Sequence, residues 1–286
     1  YKSYNMPLLS ILIPTYNREK YIRECIMSVL RQSFTDFEVI ISDNGSSDMT
    51  VKIAEECARS DCRLRILRHS TNRGAVANWM ACMKAASGQY IHWLWSDDYI
   101  GAGIYNEWYD RAGSHSTAMP FGCGTFIHES TGEIRDSFSY AEPSLSALDF
   151  RASLGLGQKL PITPAAYIIP IQAIRRHFYT DIPTNRRFDC VGRAIGPDWL
   201  MIAGAIIDAG GLICTSRRFL YCRRHAESIS ITSSDHLKRH YDFAVCWFIW
   251  REKILTAPWQ RLIFLGKAVR YMSFDMIKWA TAMWAR

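Results

Sequence analysis

The sequence predicts an α/β fold in which a mostly parallel central sheet is flanked by helices. Strand-like and helical patterns alternate regularly over about the first hundred residues, and such alternation is typical of parallel sheets. The predicted strands are short apolar runs, which indicates that they are buried. The composition agrees with a globular protein, because 49% of the 286 residues are apolar and 21% are charged.

Each element of this regular part follows from apolar periodicity and from turn residues. Short apolar runs predict four strands, and apolar positions at helical spacing predict the helices between them. Gly88 ends the last of these helices. The strands are predicted at residues 8–13, 37–41, 64–67 and 89–95, and the helices at 21–31, 49–58 and 75–86.

The pattern loosens in the second half of the chain. Residues 121–127 and 133–139 are predicted to pair as strands around the turn Ser130-Thr131-Gly132. A further strand is predicted at 165–169, and a helix at 198–209 that a Gly-Gly pair ends. No internal repeat accompanies these elements, so no repeat architecture is predicted.

Cysteine usage and hydropathy exclude several classes of protein. The nine cysteines are odd in number, scattered and never spaced as Cys-x-x-Cys. This pattern favours buried thiols in a reducing compartment over a disulfide framework or a zinc site. The first residues lead directly into a strand, and no apolar run reaches the roughly 20 residues that cross a bilayer. We therefore predict neither a signal peptide nor a transmembrane helix.

The net charge of +7 is concentrated near the end of the sequence. Residues 238–286 carry nine Lys or Arg against three Asp or Glu, and the remainder of the chain is nearly neutral. A neutral body does not have the basic surface that nucleic acid requires, so no nucleic-acid partner is predicted.

Three polar clusters follow three of the predicted strands. They are Pro14-Thr15-Tyr16-Asn17, Asp43-Asn44-Gly45-Ser46 and Asp97-Asp98. Ligands of open α/β sheets bind at the edge where the carboxyl ends of the strands meet. The clusters are therefore predicted to form one site.

The residue types in these clusters suit a nucleotide. Tyr16 offers an aromatic face for a base, and Asp43 can accept hydrogen bonds from ring or sugar donors. The carboxylates of Asp97 and Asp98 can hold a hard cation such as Mg²⁺ or Mn²⁺ against phosphates. Neither Gly-x-Gly-x-x-Gly nor a P-loop motif is present, so that cation would neutralise the phosphate charge.

Five motifs together resemble the family-two inverting glycosyltransferases of GT-A fold, and their order and spacing match that family. The resemblance covers residues 7–105. It implies a GT-A (Rossmann-like) fold, a nucleotide-diphospho-sugar donor, Mn²⁺ or Mg²⁺ as cofactor, and transfer of the sugar with inversion. The motifs are Ile13 to Arg18, Ser42 to Thr50, Asn72-Arg73-Gly74, Ser87 to Tyr90 and Ser96-Asp97-Asp98.

The resemblance assigns roles to individual positions. Pro14 to Asn17 and Asp43 would bind the nucleotide, with Thr15, Tyr16 and Asp43 on the base. Arg68 is a further candidate for the base. Asp98 would bind the metal, and Asp97 would contact the ribose or the metal. The chain departs from the frequent Asp-x-Asp pattern, because Trp95 stands at the position of its first aspartate.

An inverting transfer also needs a general base for the acceptor hydroxyl. The family usually places a carboxylate at the start of a helix, about a hundred residues beyond the metal site. Here that position is Asp198, with Asp189 as the local rival. The alternative role for Asp198 is a helix cap, which contributes ~1 kcal/mol of stability.

Residues 221–230 resemble the Tyr-Arg-x-His-x-x-Ser-x-Ser segment of the same family. In that segment the histidine approaches the metal or the diphosphate. The resemblance therefore implies that His225 helps to hold the metal, and that Arg224 or its neighbour Arg223 neutralises phosphate charge.

We predict three segments of the chain. Residues 1–110 would form the nucleotide-sugar-binding half of the GT-A domain, and 111–235 the acceptor-binding and catalytic half. Residues 236–286 would form a C-terminal appendage of basic amphipathic helices. Its apolar stripe suits packing on the body, a homo-oligomer contact with a second protomer, or an anionic membrane surface.

The sequence predicts an inverting glycosyltransferase that uses a UDP- or dTDP-sugar. Its acceptor would be a saccharide or polyprenyl-linked saccharide in surface polysaccharide or glycolipid synthesis. The implied location is cytoplasmic, peripheral on the inner face of the cell membrane. Two alternatives stay open: a sugar nucleotidyltransferase, and an inactive nucleotide-sugar-binding subunit of a glycan-assembly complex.

Overall fold

The structure is a computed structural model. It describes residues 6–114, 118–156, 160–161, 163–180, 182, 190–192, 194, 196–226, 244 and 248. Most of the predicted C-terminal appendage therefore lies outside the described residues, as does Asp189. None of the helices in the described ranges is long and apolar enough to cross a membrane.

The described residues form ten strands and seven helices, joined by a π-helical turn at Tyr109–Gly113 and a 3₁₀ turn at Pro164–Ala166. The strands are β1 (Leu9–Thr15), β2 (Phe37–Asp43), β3 (Leu64–Arg68), β4 (Tyr90–Trp93), β5 (Tyr99–Ile100), β6 (Phe121–His128), β7 (Ile134–Phe138), β8 (Ser144–Ser146), β9 (Tyr167–Pro170) and β10 (Gly211–Arg223). The helices are α1 (Ile22–Leu30), α2 (Thr50–Ser60), α3 (Ala75–Ala85), α4 (Ile104–Trp108), α5 (Ala147–Leu156), α6 (Ile171–His177) and α7 (Pro197–Asp208).

The strands form one sheet in the order β3-β2-β1-β4-β9-β6-β10-β5, with β7 paired to β6 and β8 paired to β10. The strands β3, β2, β1 and β4 are parallel, and β10 runs parallel to β6. Antiparallel pairs connect β9 to both β4 and β6 and add β5, β7 and β8. The predicted α/β fold with a mostly parallel central sheet is confirmed.

The parallel strands occupy the centre of the core because helices cover the sheet. All seven residues of β1 are buried, as expected for a parallel strand covered on both faces. Helix α3 packs on β1 and β2, and α1 packs on α2 and β5. In the second half, α7 packs against α5, α6, β9 and β10. This arrangement leaves the carboxyl ends of the parallel strands and the start of α7 available for a site.

The predicted hairpin and the predicted helix of the second half are both present, as β6 with β7 and as α7. The strands β5 and β8 and the helices α4, α5 and α6 were not predicted, and two further elements differ from prediction. The fourth strand, predicted to reach residue 95, ends at Trp93, and the chain then turns toward Asp97. The 13-residue strand β10 was not predicted, because Arg217 and its polar neighbours interrupt the apolar residues of this segment. Arg217 is exposed, and the pairing of β10 with β6 is irregular at this point.

His92 lies in the core beneath this edge and not in the site. One of its ring nitrogens bonds to the Tyr105 hydroxyl at 3.0 Å, and the other bonds to the Ala165 carbonyl at 2.8 Å. Burial lowers the pKa of His92 to about 4, so the ring is neutral at physiological pH. His92 is therefore a hydrogen-bonded residue of the core.

Candidate active site

The first part of the site lies where β1 and β2 end side by side. Thr15 and Asp43 are paired in the sheet register, and both are buried. One Asp43 oxygen, Oδ2, accepts hydrogen bonds from the backbone N–H groups of Gly45 (3.1 Å) and Ser46 (3.0 Å). The other oxygen, Oδ1, is buried and has no hydrogen-bond partner in the part of the chain that the structure describes. The Thr15 hydroxyl is likewise buried and has no hydrogen-bond partner among the described residues.

Unpaired buried polar atoms are rare, and each requires an explanation. Here a carboxylate oxygen and a hydroxyl group, on adjacent strand ends, leave one acceptor and one group that can donate or accept. This pair suits the edge of a nucleobase that presents a ring N–H beside a carbonyl oxygen.

A network of buried side chains holds these two strand ends in place. The amide of Asn78, on α3, donates to the Ser42 carbonyl at 2.9 Å, and the Ser42 hydroxyl donates to Asn78 Oδ1 at 2.6 Å. Gly45 has a φ of +78°, and a Cβ added there would lie 2.8 Å from the Thr71 backbone. The loop after β2 therefore requires glycine, both for its conformation and for its close contact with the neighbouring loop.

The other predicted nucleotide contacts surround this edge. Tyr16 is 41% exposed, so its ring is available to a ligand. Asn17 has a φ of +50°, and its Oδ1 accepts a hydrogen bond from the Ser47 N–H at 2.9 Å. Pro14 is buried within β1. Arg68 ends β3 opposite Asp43, but its guanidinium forms an ion pair with Glu55 of α2.

Asp98 is the buried member of the aspartate pair, with only 6% of the residue exposed. Its Oδ1 accepts a hydrogen bond from the Arg223 backbone N–H at 2.9 Å. Burial, together with the neighbouring charge of Asp97, raises the pKa of Asp98 well above its usual range. The carboxylate therefore lacks sufficient positive charge around it to offset its desolvation.

Asp97 is more exposed and contacts a histidine and an arginine. Its Oδ2 lies 3.0 Å from His225 Nε2 and 3.6 Å from Arg18 Nε. The His225 ring stacks on Tyr21, with 4.6 Å between ring centroids. The structure thus brings His225 to the aspartate pair, as the sequence predicts, through a contact with Asp97.

The two arginines before His225 face different surroundings. Arg223 donates from Nη1 to the Asp97 carbonyl at 2.7 Å and forms an ion pair with Glu24. The Arg224 guanidinium lies 3.5 Å from Glu129, beside the end of β6. Arg223, the residue that the sequence offered as an alternative to Arg224, is therefore the one that contacts the aspartate pair.

The aspartate pair can hold a divalent cation together with a substrate. In the described ranges, no group of three or more His, Cys, Asp or Glu side chains is arranged to bind a metal. Mg²⁺ sites on phosphates commonly use only one or two carboxylates and take their other ligands from the phosphates and water. The poorly compensated charge of Asp98 beside Asp97 fits a cation that arrives with a nucleoside diphosphate.

Asp198 occupies the first turn of α7, immediately after Pro197. The N-cap position is Gly196, and no side chain caps the helix, so Asp198 is not its cap. Asp198 Oδ1 is buried without a hydrogen-bond partner in the described part of the chain. Burial raises the pKa of Asp198 to about 6, although nearby backbone N–H groups, including that of Trp199, favour its charged form.

Neighbouring contacts place this residue at the same edge of the sheet. The Trp199 ring lies 6.0 Å from the ring of Tyr167, the first residue of β9. Because β9 runs antiparallel to β4, its start lies level with the end of β4. Helix α7 also packs against the Pro164–Ala166 turn, which contacts β4. The candidate base and the aspartate pair therefore approach one edge from different elements.

Sequence reasoning had not assigned roles to Arg18, Tyr21 and Glu24. Arg18 is the last residue of the first motif, and that position was a sequence signal for a role in the site. Tyr21 and Glu24 lie at the start of α1 and contact residues about 200 positions later. No local pattern in the sequence could have indicated these contacts.

Comparison with known proteins agrees with this arrangement. The model of the family described as "Glycosyl transferase family 2" matches residues 10–154. A Bacillus subtilis relative, the uncharacterized glycosyltransferase EpsJ, is 35% identical over 142 residues, or 50% of this chain and 39% of EpsJ. A Campylobacter jejuni relative is 30% identical over 135 residues, or 47% of this chain and 43% of that protein. Its name is GalNAc(5)-diNAcBac-PP-undecaprenol beta-1,3-glucosyltransferase. These matches span less than half of either relative.

Two solved structures share the fold. S. aureus TarS 1-349 in complex with UDP-GlcNAc has a TM-score of 0.63 at 19% identity, over 92% of this chain and 80% of that chain. The Pyrobaculum calidifontis mannosyltransferase PcManGT, in complex with GDP-Man and Mn²⁺, has a TM-score of 0.56 at 14% identity. That match covers 99% of this chain and 81% of PcManGT. At this level of identity, the similarity establishes the fold alone.

Proposed function

The chain belongs to glycosyl transferase family 2, and from that premise we propose that it transfers a sugar from a UDP- or dTDP-sugar to a hydroxyl group of a saccharide or lipid-linked saccharide. The observation that carries this proposal is the convergence of three acidic sites on one sheet edge. Asp43 offers an unpaired acceptor to a base, Asp97 and Asp98 offer carboxylates to a cation, and Asp198 offers a carboxylate with a raised pKa to a proton.

The proposed mechanism is a single displacement. Asp198 accepts the proton of the acceptor hydroxyl as that oxygen forms a bond to C1 of the sugar. The bond between C1 and the diphosphate oxygen breaks on the opposite side, so the configuration at C1 inverts. Bound at Asp97 and Asp98, Mn²⁺ or Mg²⁺ would neutralise charge on the departing nucleoside diphosphate. His225 and Arg223 hold the aspartate pair through the contacts described above.

The unpaired oxygen of Asp43, Oδ1, should discriminate between the nucleobases of different nucleotide sugars. Uracil and thymine present a ring N–H at N3, which can donate a hydrogen bond to Asp43 Oδ1. Cytosine presents a lone pair at the same position, which would repel the carboxylate. UDP or dTDP is therefore the proposed carrier of the sugar, and CDP should bind weakly.

An Asp43→Asn variant tests the function and the base preference together. Because the oxygen that bonds to Gly45 and Ser46 must remain an acceptor, the new NH₂ group would occupy the Oδ1 position. It would then oppose the N3–H of uracil and match the N3 of cytosine. We expect UDP binding to weaken at least ~10-fold and CDP binding to strengthen.

The measurement is release of nucleotide from UDP-, dTDP- and CDP-sugars with Mn²⁺, together with binding of the free nucleotides. Asp110→Asn, at an exposed position, is the matched control. With pyrophosphate added, release of nucleoside triphosphate and sugar 1-phosphate in place of nucleoside diphosphate would indicate a nucleotidyltransferase. Binding without turnover of any donor would indicate an inactive subunit. Unchanged UDP and CDP affinities in Asp43→Asn would overturn the base assignment.

We propose that the basic segment 238–286 contacts an anionic membrane that carries the acceptor. Where the structure describes this segment, Ala244 and Phe248 are buried, and the Phe248 ring lies 5.6 Å from that of Tyr179. Truncation after residue 257 would keep that contact and remove five of the nine basic residues together with the apolar stripe.

We expect the truncated chain to lose sedimentation with acidic vesicles while it still hydrolyses a soluble donor. Neutral vesicles provide the control, because they lack the charge that attracts basic residues. Undiminished binding of the truncated chain to acidic vesicles would eliminate the membrane role of this segment.

A further inference from the structure

Arg223 makes three contacts with the loop that carries the aspartate pair and with α1. Its backbone N–H donates to Asp98 Oδ1 at 2.9 Å, and its Nη1 donates to the Asp97 carbonyl at 2.7 Å. The other end of the guanidinium forms an ion pair with Glu24 of α1. One residue thus ties the loop after β4 to both β10 and α1.

Aromatic rings surround the same guanidinium. Its central carbon lies 4.5 Å from the ring centroid of Tyr99 and 5.5 Å from that of Tyr21. Tyr99 belongs to a stack of rings that continues with Tyr221 at 4.5 Å and Phe126 at 4.6 Å. As a result, only 9% of the Arg223 side chain is exposed, whereas 60% of the Glu24 side chain is. A guanidinium held in this way has one orientation, because each of its faces and ends has a partner.

On the Trp95 side of the loop, the described residues supply a weak polar contact, from the Cys25 thiol to the Trp95 carbonyl at 3.6 Å. Trp95 takes the position of the first aspartate of Asp-x-Asp, and its ring packs against Trp79 and Trp93 at 5.2 and 6.2 Å. Arg18 and His225 contact the Asp97 carboxylate, whereas residue 223 contacts both the Asp97 carbonyl and the Asp98 carboxylate.

We propose that Arg223, held by Glu24, is a positioning residue that fixes the Asp97-Asp98 segment in the geometry that binds the cation and the diphosphate. The inference rests on the proposed function for its catalytic consequence. The positioning itself depends only on the contacts of this chain. Arg223 acts through the aspartates and does not need to contact the reacting atoms.

An Arg223→Lys variant isolates geometry from charge. Lysine keeps the positive charge beside the carboxylates, so the electrostatic effect on a cation stays nearly constant. Its single ammonium cannot serve the Asp97 carbonyl and Glu24 in the way that the forked guanidinium does. We expect faster amide hydrogen exchange in peptides that cover residues 95–99, where the Asp98 N–H bonds to the Trp95 carbonyl at 2.9 Å.

Mn²⁺ binding, measured in the presence of UDP and without acceptor, is expected to weaken about tenfold in the same variant. The rate of donor hydrolysis should fall accordingly. Arg217→Lys is the matched control. Arg217 lies on the same strand and has the same types of partner, Glu107 at 3.0 Å and the Phe219 ring at 4.9 Å, but does not contact the pair. That control should leave all three measurements unchanged.

Glu24→Gln is the second variant, because a largely exposed carboxylate can be replaced without risk to the fold. It should produce the same changes to a smaller extent. Wild-type exchange over residues 95–99 in both folded variants would overturn the positioning role. Absence of Mn²⁺ binding to the unmodified chain in the presence of UDP would count against the proposed function instead, since the exchange rates alone decide whether Arg223 positions the loop.

Discussion

Asp198→Asn is expected to lower the rate of sugar transfer by ~10²–10⁴-fold, the contribution of a general base. Asparagine has nearly the same size as aspartate and can occupy the same place in the first turn of α7, but it cannot accept the proton of the acceptor hydroxyl. The KM for the nucleotide sugar should change little, because Asp43, Asp97 and Asp98 remain. Steady-state kinetics with a saturating donor measure this effect.

The pH profile of the unmodified chain adds a second test. A base with a pKa of about 6 is largely protonated at pH 5 and ionised at pH 7. Transfer should therefore rise with pH through about 6 and then level off, and Asp198→Asn should lose this rise.

Asp198→Asn should raise the free energy of unfolding although it lowers the transfer rate. The pKa of Asp198 is raised in the folded chain, so its stabilising contribution is complete below the unfolded pKa of 3.8 and is lost as pH rises through about 6. At pH 7, Asp198→Asn should therefore increase the free energy of unfolding by ~2–3 kcal/mol. The difference from the unmodified chain should disappear near pH 3.5.

The effects of Asp198→Asn on the transfer rate and on the free energy of unfolding together distinguish a catalytic role from a structural one. A residue that only stabilised the helix terminus would give a variant that is less stable and fully active. Asp110→Asn controls for the loss of one negative charge at an exposed position. Retained transfer activity in a correctly folded Asp198→Asn chain would eliminate Asp198 as the base and direct attention to Asp189.

The first half of the fold could be predicted because its strands are buried on both faces. The run Leu9 to Ile13 is almost wholly apolar, and Gly45, Gly74 and Gly88 stand where the chain must turn or approach another backbone closely. Local pattern and global fold agree there, so the strand-end positions of Asp43, Asp97 and Asp98 followed from the order of the elements. The helix predicted at 198–209 is present as α7, which begins one residue earlier, so Asp198 lies in its first turn.

The remainder of the site depends on contacts that no local pattern records. The strand β5 has two residues, and β10 alternates poorly because its pairing with β6 shifts register between Cys214 and Leu220. Glu24 and Arg223 are 199 positions apart, so their ion pair exists only in the folded chain. The sequence therefore offered both arginines beside His225, and the structure was needed to distinguish Arg223 from Arg224.

The second large effect is expected for Asp98→Asn, which should abolish metal-supported turnover of the nucleotide sugar. Asp98 is buried beside Asp97, and its raised pKa reflects charge that the folded chain does not offset. Asparagine removes that charge, while its side-chain oxygen can still accept from the Arg223 N–H. Without added cation the variant should be more stable than the unmodified chain, and its transfer rate should fall at least ~10²-fold.

Asp97→Asn is the matched neighbour, and its effect on stability should have the opposite sign. Asp97 Oδ2 lies close to the His225 ring and to the Arg18 guanidinium, so removing its charge weakens both contacts and should lower the free energy of unfolding. Thermal melting with and without Mn²⁺ distinguishes the effects of the two substitutions, Asp97→Asn and Asp98→Asn. The unmodified chain should be stabilised by Mn²⁺ with UDP through mass action, and Asp98→Asn should not. Equal stabilisation of both by Mn²⁺ would remove Asp98 from the metal site, and the cation would then have to bind through Asp97 and the diphosphate.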